Sequence, residues 1–147
     1  MALLGVLMLT ACMPRDPDET LDRVRGGELR VGISHNPPFT SIAGDEPTGS
    51  EVDLVLRFAE QLGAEVAWHA AGEEALMDQL KEGQLDLVIG GLSEQSPWTD
   101  KAALSAPYGT STGADGKERK MVMAAALGEN AFLMELEAFL ADHGEGK

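Results

Sequence analysis

The chain has a single cysteine, Cys12, in 147 residues, so no internal disulfide can form. Positive charge is scarce: 11 Lys and Arg stand against 25 acids, for a net charge of −14 and a pI near 4.4. Holding a phosphate backbone needs a basic face, so this balance excludes a nucleic-acid-binding surface. Aromatic residues are few, at 5%. No Walker loop, nucleophile elbow or zinc motif is present, and His35, His69 and His143 are too dispersed to point to a metal centre. The sequence therefore leads to the expectation of no catalytic residue, no metal and no cofactor.

Long hydrophobic runs are also missing. Residues 1–9 are apolar but too few to span a bilayer as a helix, and they read as the core of a signal peptide over residues 1–11. Leu9-Thr10-Ala11-Cys12 resembles a bacterial lipobox, in which small residues precede a cysteine that is cleaved at and lipidated. Cys12 is accordingly expected to carry a lipid and to place the protein on the periplasmic side of a membrane. Residues 12–19 hold two prolines and three acids and are expected to form a solvated, flexible tether.

From residue 20 the pattern alternates between strand and helix. Residues 29–33 and 65–69 read as strands, and residues 85–89 form a dense apolar run that suits a strand covered on both faces. Between them, Val52, Val55, Phe58, Ala59 and Leu62 recur at helical spacing, with Ser50 and Asp53 as the expected cap and capping-box partner. Residues 73–82 predict a second helix stopped by Gly83, residues 121–125 a further strand, and Phe132, Leu133, Leu136, Phe139 and Leu140 a closing helix. The seven methionines fall in apolar stretches and are expected to fill the core. The fold class is α/β, a mostly parallel sheet flanked by helices, forming a single unit over residues 20–147.

An ordered series of segments carries a family resemblance. They include residues 20–24, the strand at 29–33, Asn36-Pro37-Pro38-Phe39, Gly49-Ser50-Glu51-Val52-Asp53-Leu54, residues 80–88 and Ser105-Ala106-Pro107-Tyr108. In this order and spacing the chain resembles the extracytoplasmic solute-binding proteins of the amino-acid-binding type, family 3, that serve ABC importers. The resemblance implies two α/β lobes joined by crossing strands, with the ligand clamped between them and Tyr108 packed at the hinge. Here residues 109–120, polar and containing Gly109, Gly113 and Gly116, stand where the second lobe would be. Twelve such residues can close a turn but cannot build a second core. The expectation is a single lobe of a periplasmic-binding-protein-like fold with a short connector.

In open α/β sheets ligands bind beyond the carboxyl ends of the strands, which directs attention to residues 34–40 and 90–99. The resemblance places Phe39 against the ligand and gives Gly91 and Ser93 polar contacts. It also places Trp98 where the family has an arginine that pairs with an amino acid's α-carboxylate. Asp53 and Asp86 read as a capping residue and a turn residue, not as a catalytic pair. A closed site buries roughly 70–90% of a small ligand, whereas one lobe leaves a face in water. With association costing at least ~4 kcal/mol, binding on the order of millimolar is expected. The functional expectation is binding of a small, polar, amino-acid-like solute in association with an ABC-type transport system. The alternative is an interaction module that docks on another protein, or on itself as a homodimer, through its exposed sheet end.

Overall fold

The computed structural model describes residues 12–144; the expected signal peptide lies outside the described residues. The elements follow in the order α1 (Thr20–Val24), β1 (Glu28–Ile33), α2 (Ser50–Leu62), β2 (Glu65–Ala70), α3 (Glu73–Lys81), β3 (Leu87–Ser93), β4 (Ala103–Leu104), β5 (Gly109–Thr112), β6 (Glu118–Ala125) and α4 (Asn130–His143). They form one α/β lobe, as the sequence leads one to expect.

The six strands make one sheet in the order β2-β1-β3-β6-β4, with β5 also paired to β6. β1 runs parallel to both β2 and β3, so the expected parallel half is present. β6 returns antiparallel to β3 and carries β4 and β5 antiparallel on its other side, which makes the whole sheet mixed.

Alternation along the strands divides the core into two layers. Leu29, Val31, Ile33, Leu87, Ile89, Met121 and Met123 face α1, α2 and α4, where Phe58 packs edge-on to Phe132. Val88, Leu92, Val122 and Ala124 face α3 through Leu76, Met77 and Leu80. Gly32 lets α3 approach this closely: a Cβ there would lie 2.8 Å from Leu85 and 2.9 Å from Leu76. The methionine expectation holds for Met77, Met121 and Met123, but Met13 and Met134 are exposed.

Three local expectations are corrected. Ser50 is the first residue of α2, with Gly49 at the cap and no side-chain cap bond. The reason is that backbone carbonyls do the capping: the Ser50 and Glu51 N–H groups donate to Pro38 O at 3.3 Å and Phe39 O at 3.0 Å. Residues 15–19 of the expected tether are tied to the fold. Asp16 accepts from the Ala131 and Phe132 N–H groups at 2.6 and 3.1 Å, meeting the orphan donors and the positive dipole end of α4. Asn130 N–H donates to Arg15 O, and Glu129 accepts from Asp18 N–H at 3.0 Å.

The connector at residues 109–120 is the third. Most of it is β-structure: β5 pairs with β6 from Gly109↔Met121 to Thr112↔Glu118, and residues 113–117 close the hairpin. Gly113 N–H donates to Lys117 O at 2.9 Å, and Arg119 pairs with Asp115 at 2.7 Å. Threonine suits a pleated edge, and of the three glycines Gly109 opens β5 while Gly113 and Gly116 belong to the closing turn.

Candidate functional site

Because β1, β2 and β3 are parallel, their carboxyl ends open on the same side of the lobe. There lies a cavity of about 500 Å³, within the range of small-molecule sites. Ser34, His35 and Asn36 line it from the loop after β1, Ala70 from the end of β2, Ala71 and Gly72 from the turn that follows, Glu73 from the first turn of α3, and Gly90 from β3. The contribution of the β2 turn was missed, although the same rule about strand ends applies to it as to β1 and β3.

The floor of this region is built by a break in the sheet. β3 pairs with β6 at Val88↔Ala124 and resumes at Leu92↔Val122, so two extra residues bulge out of β3. Gly91 lies in the bulge with φ +68°, and a Cβ on it would sit 2.7 Å from the Phe39 ring, so the position needs a glycine for both conformation and space. The N–H groups of Gly90 and Gly91 turn away from the ladder and donate to Glu51 Oε2, each at 2.9 Å. Asn36 Nδ2 donates to Gly90 O at 2.8 Å, tying the β1 loop to the same bulge. Thr40 Oγ1 donates to Ser34 O and also accepts from Asn36 N–H, which closes that loop on itself.

Glu51 is fully buried, and its Oε1 accepts from the Tyr108 hydroxyl. Burial pushes its carboxyl above the usual glutamate range, against the opposing pull of Tyr108 and the two glycine N–H groups. Tyr108 is buried next to the start of β5, and its hydrogen bond to Glu51 links the hairpin to the bulge. Glu51 had a legible signal: it shares the buried stripe of α2 with Val55, Phe58 and Leu62, an unusual place for an acid.

The four residues singled out from sequence separate into two groups. Phe39 and Gly91 are adjacent on the α2 side of the sheet, and Phe39 is packed half-buried against that core layer. Ser93 follows on the same strand, where its N–H donates to Ser96 Oγ and its Oγ accepts from Gln95 N–H in a local turn. Trp98 packs on the other layer, against α3, with its indole N–H donating to Glu73 Oε1. Lys101 Nζ lies 5.5 Å from the Trp98 ring centroid and pairs with Asp78 at 2.5 Å. Trp98 therefore reaches the cavity only through Glu73.

At the opposite end of the sheet, Asp86 is buried and paired with Arg23 and, at 2.8 Å, with Arg30. It also accepts from the Arg30 N–H at 2.9 Å. Its role is wider than the turn assigned to it from sequence: it ties α1 to β1 and β3. The hydrogen bond and charge of Asp86 hold Arg30 above the usual guanidinium range.

Comparisons with known proteins agree with this geometry. The model of the bacterial extracellular solute-binding proteins, family 3, matches residues 29–142, and the chain belongs to that family. Among solved structures, the arginine-bound form of domain 1 from TmArgBP superposes with a TM-score of 0.71 and 25% identity, covering 85% of this chain and 98% of that one. A Phe57Trp mutant of the same arginine-bound domain gives a TM-score of 0.73, also at 25% identity, over 83% and 96% of the two chains. Among curated sequences, membrane-bound lytic murein transglycosylase F of Vibrio cholerae serotype O1 is 33% identical over 96 residues, 64% of this chain and 18% of that protein. The Idiomarina loihiensis protein of that name is 32% identical over 108 residues, 72% of this chain and 24% of its own length. The chain thus spans about a fifth of the length of the curated relatives it matches. Among the described residues, no helix is long and apolar enough to cross a membrane.

Proposed function

We propose that the chain is an extracytoplasmic binding lobe for a small, polar, amino-acid-like solute, held at the membrane by a lipid on Cys12 and working with an ABC-type transport system. One observation carries this reading. The cavity sits at the carboxyl ends of three parallel strands in a lobe that superposes along most of its length on a single domain described as arginine-bound. Phe39, Gly91, Ser93 and Trp98 do not line the cavity itself; in this reading Gly91, next to the lining Gly90, and with it Phe39 and Ser93 meet the ligand beyond the cavity, and Trp98 acts through Glu73. Recognition without catalysis suits a family of binding proteins.

The test is an NMR titration of the full chain with arginine at two protein concentrations. Saturable shifts at Ser34, Asn36 and Gly90 in the millimolar range are expected, and their absence up to tens of millimolar would overturn the reading. The lipid is tested separately: Cys12→Ser should move the protein from the membrane fraction to the soluble one.

A second reading is favoured by the curated relatives, which are far longer and are described as membrane-bound enzymes. In it the lobe is an interaction module of the cell envelope, docking on another protein or pairing with a second copy. Concentration-dependent shifts at Phe39 and residues 91–98 without any solute response would favour it.

A further inference from the structure

We propose that the cavity recognises an organic cation through Glu73 and has no cationic partner for a free carboxylate, so that its ligand class is amines and guanidines without an α-carboxylate; this rests on the solute-binding reading above.

Among the described residues that line the cavity, Glu73 is the one carboxylate, and no Lys or Arg joins it. The indole of Trp98 occupies only Oε1 of Glu73, and among the described hydrogen bonds Oε2 has no partner, which leaves an acceptor for a ligand N–H. The neighbouring cation, Lys101, is held by Asp78. His35 lines the cavity with its Nδ1 taken up as the acceptor of the Ile42 N–H at 3.2 Å. Asn36 gives one of its two amide N–H groups to Gly90 O and keeps its oxygen as an acceptor for a ligand N–H.

One feature opposes this: Gly72 caps α3 beside the cavity, and a helix amino terminus favours anions. That end is worth roughly half a positive charge, whereas Glu73 and Glu74 in the first turn bring two full negative charges. The balance at the cavity is negative. A carboxylate entering it would face Glu73 with no cation to offset the repulsion, while an ammonium or guanidinium would gain a charge-assisted hydrogen bond.

The experiment titrates the full chain with agmatine, arginine and glutamate, following the amides of Ser34, Asn36, Glu73 and Gly90 by NMR. Agmatine should bind at least as tightly as arginine, and glutamate should leave these amides unmoved. Glu73→Gln should weaken agmatine about tenfold, the scale of one charge-assisted bond. Trp98→Phe keeps a ring on α3 and frees both Glu73 oxygens, so agmatine binding should be kept or tightened. Saturation by arginine or glutamate without agmatine would overturn the proposal while leaving solute binding intact. Equal loss in Trp98→Phe and Glu73→Gln would make the effect one of packing and also overturn it. Silence from all three probes would remove the solute-binding reading itself.

Discussion

Replacing Glu51 by glutamine isolates the protonation of one buried carboxyl. Glutamine keeps the shape, accepts from the Gly90 and Gly91 N–H groups through its oxygen, and offers its amide to the Tyr108 hydroxyl; it is the uncharged state made permanent. In the folded chain burial raises the Glu51 carboxyl above the ordinary value of 4.5. Below pH 4.5 the group is protonated in both folded and unfolded chains and contributes no pH dependence. As pH rises from there toward the folded value, the unfolded chain loses its proton first, so stability falls by about 1.4 kcal/mol per pH unit within that window. The Glu51→Gln variant has no such slope. Urea unfolding of both proteins from pH 4 to pH 8 reads the difference, with the other acids cancelling between them. The variant should gain on the wild type as pH rises above 4.5 and match it below. A difference that stays flat with pH, or a wild type that gains on the variant with pH, would refute the argument.

Asp86→Ala should cost about 2 kcal/mol in urea unfolding, because it removes the buried acceptor shared by Arg23, Arg30 and the Arg30 N–H. Gly32→Ala should cost about 1–3 kcal/mol by pushing α3 off β1 at Leu76 and Leu85, and should show as a lowered Tm. Asp16→Ala should cost about 1 kcal/mol and speed amide exchange in the first turn of α4, whereas Asp16→Asn should recover much of the loss.

The parts of the fold that were legible in the sequence are those set by periodicity. The stripe from Val52 to Leu62 and the dense run at residues 85–89 became α2 and β3 because burial of those faces admits one register only. The hairpin at residues 109–120 was hidden by composition, since an edge strand of Gly, Ser and Thr carries no apolar alternation. The floor of the site was hidden for a different reason: Glu51, Gly90 and Tyr108 are remote in sequence and meet only once the sheet has folded. Trp98 illustrates the limit of position alone. Its place in the chain put it beside a ligand, but the loop after β3 lays it on the α3 layer, where Glu73 claims its N–H.

The Asp16 clasp fixes which way the lobe faces. Residues 15–19 are bound at the amino ends of the parallel strands, where Asp18 and Asp86 line one cavity, and the proposed binding cavity lies at the carboxyl ends. Arg15 follows Cys12 by three positions, a reach of about 10 Å when extended. With the proposed lipid on Cys12, the amino edge of the sheet would stand close over the bilayer and the binding mouth would point outward into the envelope space. A partner embedded in the same membrane would then meet the lobe's underside, and one that reads the bound solute would have to reach over the top.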